Sequence, residues 1–396
     1  MTSPASRVSL HDTASTGHAF ETAWSFLRVA CSEGGRSSNR IAPLCSTVQW
    51  RTLFDLADRH SVQPLLYQAL STLPASIPSA EMHVMEKLYQ TNLHKALILS
   101  RELIHIVDRL TEVGIEVMPY KGLALAESIY GDIASRQAGD IDLLIHGRDL
   151  ARIRATVAEL GYVPHRALSA AEEHCYLQSG YECAFDGAAG RNLLEVQWAI
   201  QPQFYAVDFD HESLFRRAIS ITVAGHPMRT PSNEDLFLIL SLHAAKHVWG
   251  RLIWLCDIAR IMRLPGLKWD WIGSQAKDMG IVRLLRVTLL LAKRLLNAEI
   301  PAAAETGLPQ DIEAHALADE METQIASGKI YDVESRAYFR LMLRLRERWP
   351  DRAHFLSRLM LTPGPGEWAA VRLPRPLFPL YRLVRICRLA GRLVRA

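Results

Sequence analysis

The stretch YKGLALAESIYGDIASRQAGDIDLLIH, residues 120–146, concentrates the side chains best suited to chemistry. Asp140 and Asp142 flank one isoleucine and run straight into Leu143, Leu144 and Ile145. Side chains alternate along a strand, so the two carboxylates share a face and Ile141 and Leu143 take the other. Adjacent carboxylates repel, and one would normally hold a proton. A divalent cation relieves that repulsion, and one or two carboxylates plus substrate phosphates are the usual way to hold Mg²⁺. For a lone Asp-x-Asp, a solvated strand end is the competing explanation.

The neighbouring residues shift that balance. Glu195, in LLEVQW, shares a strand face with Leu193 and Gln197, while Leu194, Val196 and Trp198 take the opposite face. An acid in so apolar a strand asks for a partner. Exposure on an edge strand is the alternative. Lys121 and Gly122 lie between a strand and a helix. Glycine lets backbone approach a ligand, and a helix start offers N–H groups to an anion. Lys121 adds a point charge suited to phosphate. A turn that needs glycine is the plainer explanation for this pair. Arg136 fits either a bidentate phosphate clamp or a structural ion pair.

A second cluster lies in HAAKHVWGRLIWLCDIAR. His243 and His247 fall four apart on one helix face, with Lys246 between them and Arg251 and Asp257 close behind. A zinc helix wants H-E-x-x-H. Here the interior is Ala-Ala-Lys, and a lysine inside a ligand set disfavours a cation. A buried histidine packed against Trp249 or Trp254 explains the spacing without a ligand.

These residues must be positioned by a larger frame. Residues 1–20 read as a flexible polar arm without the apolar core of a secretory signal. Residues 21–114 read as helices: one over 48–70, broken near Pro64, and one over 81–114 ending on glycine. Residues 115–210 mix strands (IEVMP, DIDLLI, YECAFDG, NLLEVQWAI) with helices (GLALAESIY, RDLARIRATVAELG), and GAAGR suits a hairpin turn. Residues 211–360 read as helical again, with an N-cap at Ser232 or Asn233. LTPGPGEW then opens a tail over 361–396. The fold class is therefore α+β, a mixed-sheet core between helical N-terminal and C-terminal regions.

The chain has 396 residues and 49% hydrophobic composition, enough for a sizeable core. A net charge of +3 does not demand nucleic acid as partner. Six scattered cysteines without metal-ligand spacing point to a reduced, cytoplasmic protein. The most apolar helix, over 281–296, is cut by Arg283, Arg286, Lys293 and Arg294, so no transmembrane segment is expected. Residues 369–396 carry seven arginines and no acid, alternating with Leu, Val and Ile. Such a helix lies on an anionic membrane as a peripheral contact, docks on a partner, touches RNA, or packs its apolar face on the body.

A glycine at a helix start, an Asp-x-Asp strand and a later strand carboxylate resemble the plan of polymerase-β-like nucleotidyltransferases. The segment resembles more closely the uncharacterised nucleotidyltransferase family within that superfamily. The matching residues are Lys121-Gly122-Leu123-Ala124-Leu125-Ala126, Tyr130-Gly131, Arg136 through Leu144, and Gly161-Tyr162. VQWRTLFDLADRHSVQPLLYQAL looks like its N-terminal helical region, and LLEVQW like its third-carboxylate strand. LSLHAAKHVWGRLIWLCDIARIM looks like its His-x-x-x-His and Trp-x-x-Asp signature, and LPRPLFPLYRLVRICRLA like its basic tail. Two positions depart: Leu123 stands where the superfamily usually has Ser, and Gln197 where the family often has His.

The resemblance implies a nucleotidyltransferase-like fold and the transfer of a nucleoside monophosphate from an NTP, such as ATP, with release of pyrophosphate. It implies Mg²⁺ or Mn²⁺ on Asp140, Asp142 and Glu195, with Glu195 assisting deprotonation of the acceptor. Lys121, Gly122 and Arg136 would hold phosphate, and His243, Lys246 or His247 would lie near phosphate or base. The acceptor stays open: a small molecule, a glycan precursor, a peptide, a protein or an RNA. A non-catalytic NTP-binding or partner-binding module on the same fold is the alternative, motivated by Gly122-Leu123. A toxin-like enzyme acting on tRNA is a third reading, supported only by the arginine-rich tail.

Overall fold

Why an apolar run such as IDLLI ends up at the centre of a sheet is visible in its surroundings. The computed structural model of the chain describes residues 10–32, 38–137, 139–188, 192–328 and 335–395. Its main sheet has five strands: β1 (Val117–Pro119), β2 (Ile141–Ile145), β3 (Val163–Pro164), β4 (Glu182–Asp186) and β5 (Leu193–Gln197). They run in the order β1-β2-β5-β4-β3. All five residues of β2 are buried, as expected for a strand covered on both faces. β2 pairs antiparallel with β1 and parallel with β5, and β4 pairs antiparallel with both β5 and β3. The parallel pair requires a crossover. That crossover contains the helix Leu150–Glu159, β3, the helix Ala170–Ser179 and β4. A Ser169–Glu172 capping box starts the second of these helices.

Two apolar cores flank the sheet. Leu143, Ile145, Leu194 and Val196 meet Ile153 and Val157 of the crossover helix and Leu103, Ile106 and Leu110 of the helix Ser79–Glu112. The other core joins helices from both ends of the chain: Phe26, Leu53 and Leu66 share it with Phe237, Leu255, Leu291 and Phe355. The N-terminal and C-terminal helical regions are thus one packed body rather than two. Helix Ser79–Glu112 links the cores, with Met85 in one and Ala96 through Leu110 in the other.

Several details differ from the reading of the sequence. A helix, Leu10–Cys31, takes in the second half of the stretch read as a polar arm, because Ala23, Phe26, Leu27 and Ala30 form a buried stripe. The break in 48–70 falls at Ser61, whose φ is 57°, and Pro64 sits in the first turn of the next helix. GLALAESIY is α-helical only over Gly122–Leu125 and then widens into a π turn, Ala126–Tyr130, closed by Gly131 at φ 73°. A hairpin of β6 (Ile219–Val223) and β7 (His226–Thr230) interrupts the region read as helical from 211. Ala224 and Gly225 both take positive φ, the geometry of a tight type I′ turn. Of the GAAGR turn, residues 189–191 lie outside the described residues. Ser232 caps the helix Asn233–Lys246 by accepting the Asp235 N–H. Among the described residues no helix is long and apolar enough to cross a membrane.

Candidate active site

The register of β2 against β5 sets Asp142 directly beside Glu195, with Leu144 beside Gln197. Alternation puts these four side chains on one sheet face, opposite the apolar core of Leu143, Leu194 and Val196. The pairing of β4 adds Glu182 beside Gln197 and Ala184 beside Glu195 on that face. Asp140 sits at the mouth of β2. Four carboxylates therefore gather at one end of the sheet.

They line a cavity of about 470 Å³ whose wall also includes Lys121, Arg136, Tyr181, His243, Lys246, His247 and Arg251. Lys95 and Ser61 reach it from the N-terminal helices. Every sequence-derived candidate except Gly122 lines this cavity, and Gly122 lies just behind it. A side chain at Gly122 would start 3.3 Å from the Asp140 carbonyl oxygen, and its φ of 50° is left-handed. Glycine is needed there for close packing of the turn on the strand mouth. The four-residue α stretch that follows is too short to act as an anion-binding helix start.

Electrostatics divides the wall into two groups. Lys121 Nζ donates to Asp142 Oδ1 at 3.0 Å and lies 4.7 Å from the Tyr120 ring centroid. Burial pulls the lysine down, but Asp142 more than reverses this and its pKa is raised. Burial, with Asp142 and Glu182 nearby, pushes the Glu195 carboxyl up to about 8. Burial and Asp142 raise Asp140 as well. Lys246 is moved the other way, to about 8, by burial. Its Nζ donates to the Tyr181 hydroxyl at 2.9 Å, and Tyr181 donates in turn to Glu182. Gln197 accepts from Tyr120 and donates to Glu182 at 3.3 Å, so the family's usual histidine position carries a buried amide bridge here.

Arg136 is held differently. Its Nε and Nη2 grip both oxygens of Asp257 at 3.1–3.2 Å, and Tyr130 donates to the same carboxylate at 2.7 Å. The arginine touches the cavity, but its fork is committed to Asp257, as the structural ion pair weighed from the sequence requires. The contact ties the turn before β2 to the helix Leu252–Ile261.

His243 meets Trp254 edge to face and His247 lies tilted against it, each ring 5.3 Å from the indole centroid. Desolvation lowers His243 well below the usual imidazole value, so it is neutral near pH 7; His247, more open to solvent, is lowered too, with Lys246, Lys121 and Arg251 adding to the effect. After His247 the backbone reverses through Val248 and Trp249, both at positive φ, which turns Arg251 back into the cavity. Sequence reasoning missed Glu182, Tyr181 and Lys95 as site residues. Alternation within YECAF was the available signal for Glu182; a lysine on a long helix gives none.

The carboxylate oxygens are the hard ligands that Mg²⁺ and Mn²⁺ prefer. Among the described residues no three His, Cys, Asp or Glu side chains converge as a closed metal cage. Burial first, and the neighbouring Asp142 after it, raise the Glu195 and Asp140 carboxyls, and a divalent ion would favour their ionised forms.

Residues 46–297 match the family described as uncharacterised nucleotidyltransferase. No curated protein matches the chain. Among solved structures, the antibiotic-resistance factor ANT(2″)-Ia is similar at 17% identity and TM-score 0.27, over 57% of this chain and 92% of that one. An antigenic nucleotidyltransferase-like protein from Paracoccidioides brasiliensis is similar at 16% identity and TM-score 0.33, over 53% and 95%. Overlaps this loose carry no inference about substrate.

Proposed function

The chain belongs to the uncharacterised nucleotidyltransferase family, and from that premise we propose that it transfers a nucleoside monophosphate from an NTP, with Mg²⁺ or Mn²⁺, to an acceptor that carries a nucleophilic oxygen. The observation that carries this reading is the direct pairing of Asp142 with Glu195 across β2 and β5, with Asp140 at the strand mouth and cations around them.

Asp140, Asp142 and Glu195 would hold the divalent ion, which supplies positive charge against the triphosphate. Lys121 keeps its charge beside Asp142 and would share it with the phosphates when they enter. Lys246, Arg251 and Lys95 face the cavity from the opposite wall and would bind the outer phosphates. Trp254 and the imidazoles of His243 and His247 offer flat surfaces for a base. In the transfer itself the acceptor oxygen bonds to the α-phosphorus as the bond to the bridging oxygen breaks and pyrophosphate leaves. The acceptor proton would pass to Glu195 once a bound divalent ion has drawn its carboxyl into the ionised form.

Calorimetric titration of each NTP tests the reading. Binding that requires Mg²⁺ and is lost in Glu195→Gln supports it. Binding that is equal with and without the metal, or unchanged in the variant, contradicts it. A second reading, an NTP-binding module that does not transfer, is favoured by one feature: Lys121 already occupies Asp142 Oδ1, and Leu123 stands where the superfamily has Ser. Mg²⁺-dependent NTP binding with no pyrophosphate released when hydroxyl-bearing acceptors of each class are supplied would select it.

A further inference from the structure

The C-terminal helix Tyr381–Arg395 packs on the body with a mixed apolar and basic face and leaves a second apolar stripe exposed. It packs against the helices Trp349–Leu361 and Pro365–Ala370. Among its described side chains, Tyr381, Val384, Arg385, Arg388 and Leu389 turn inward. Arg388 donates to Glu367 at 2.6 Å and Arg385 at 3.3 Å, and Glu367 itself is buried. Tyr381 accepts the Leu373 N–H and donates to the Val371 carbonyl.

The outward stripe is apolar. Leu383, Ile386, Cys387 and Ala390, spaced by three, one and three, are exposed, Leu383 at 59% and Ile386 at 39%. The turn that leads into the helix adds Leu377 at 44% and Leu380 at 43%. Around this stripe Arg372, Arg375 and Arg382 are exposed, and no acid forms an ion pair with them among the described residues. The last acid in the chain is Glu367, so the whole segment after it is cationic.

We propose that this face docks on an anionic lipid surface, with Leu377, Leu380, Leu383 and Ile386 entering the headgroup–acyl boundary and Arg372, Arg375 and Arg382 contacting lipid phosphates. An apolar stripe in water is stabilised by insertion into lipid, and long arginine stems reach the phosphate level beside it. Charge selects this occupant over a second copy of the chain. A two-fold interface would set the arginine rim against itself, with no acid after Glu367 to offset it. An anionic bilayer supplies the complementary charge over the whole face.

The test is co-sedimentation of the full chain with phosphatidylcholine vesicles, with and without phosphatidylglycerol. Binding should rise severalfold on the anionic vesicles and fall as salt is added. Leu383→Asp with Ile386→Asp should abolish it. Arg372→Glu, Arg375→Glu and Arg382→Glu together should remove the preference for anionic lipid. NTP binding by each variant reports on the body, and if the aspartate variant melts earlier than wild type, the charge-reversal variant decides. No pelleting, equal pelleting on both vesicle types, or a solution dimer dissolved by the aspartate pair would each overturn the proposal.

Discussion

Lys121 and Arg136 come from one stretch of sequence, each has about a tenth of its side chain exposed, and each pairs with a single buried aspartate. What surrounds the aspartates differs. Asp257 has both oxygens gripped by Arg136 and a third bond from Tyr130, and it adds no further acid to the neighbourhood. Asp142 receives one bond, from Lys121, and has Glu195 directly beside it and Asp140 just before it. The first arrangement is complete and holds two elements together. The second leaves carboxylates that Lys121 does not pair, and a metal and a triphosphate would use them. A pair of opposite charges is thus no sign of a site; the carboxylates left unpaired are.

The largest expected effect is on the complete pair. Asp257→Asn strands the Arg136 guanidinium in the interior, which costs about 3–5 kcal/mol. Denaturant unfolding should show that loss, and Arg136→Ala should match its direction. Next is Asp142→Asn. Transfer should fall roughly 10²–10³-fold, while stability in denaturant should fall by less than in Asp257→Asn, because the variant also relieves like-charge repulsion with Asp140. If both aspartate variants unfold alike, the contrast between the two regions is wrong.

A third prediction concerns pH. Glu195 holds its proton to about pH 8 in the folded chain but loses it near the ordinary carboxylate value when unfolded. Its contribution to stability is full in acid and is lost as pH rises through about 8. Lys246, lowered to about 8, acts above that point: unfolding takes up a proton there, so stability recovers as pH rises further. The ligand-free protein should therefore lose stability from acid toward pH 8, and Glu195→Gln should flatten that slope in thermal melts. Addition of Mg²⁺ with NTP should flatten it too. The smallest effect is Tyr181→Phe, which removes the hydroxyl that links Lys246 to Glu182. One hydrogen bond is worth about 1 kcal/mol, or roughly fivefold in NTP affinity.

Period-two alternation along the chain is enough to mark Asp140, Asp142 and Glu195 as strand acids, and helical spacing marks His243, Lys246 and His247. What the sequence withholds is long-range pairing. Whether Asp142 meets Glu195 depends on a parallel register closed through a long crossover, and no local pattern encodes it. The same limit hides Glu182, which lies in a recognisable strand but faces the cavity only through the β4–β5 register. Asp257 is visible as part of a Trp-x-x-Asp signature, yet its partner Arg136 lies 121 positions away. The β6–β7 hairpin carries its own signal, Ile219, Ile221 and Val223 alternating before an Ala-Gly turn, but the helical patterns that follow it dominate the region. The tail is recognisably amphipathic, but that Arg385 and Arg388 turn inward to Glu367 while Leu383 and Ile386 stay outward is not visible in its own pattern.

The most direct test of the unpaired-carboxylate account is a thermal-shift matrix: wild type, Asp142→Asn and the well-folded Tyr181→Phe control, each with the four NTPs, with and without Mg²⁺. A ligand at about 100 times its Kd adds about 2.7 kcal/mol, an easily read shift. The account predicts a Mg²⁺-dependent rise with at least one NTP in wild type, a smaller rise in Tyr181→Phe, and none in Asp142→Asn. An equal rise in Asp142→Asn, or no rise in any protein, would contradict it.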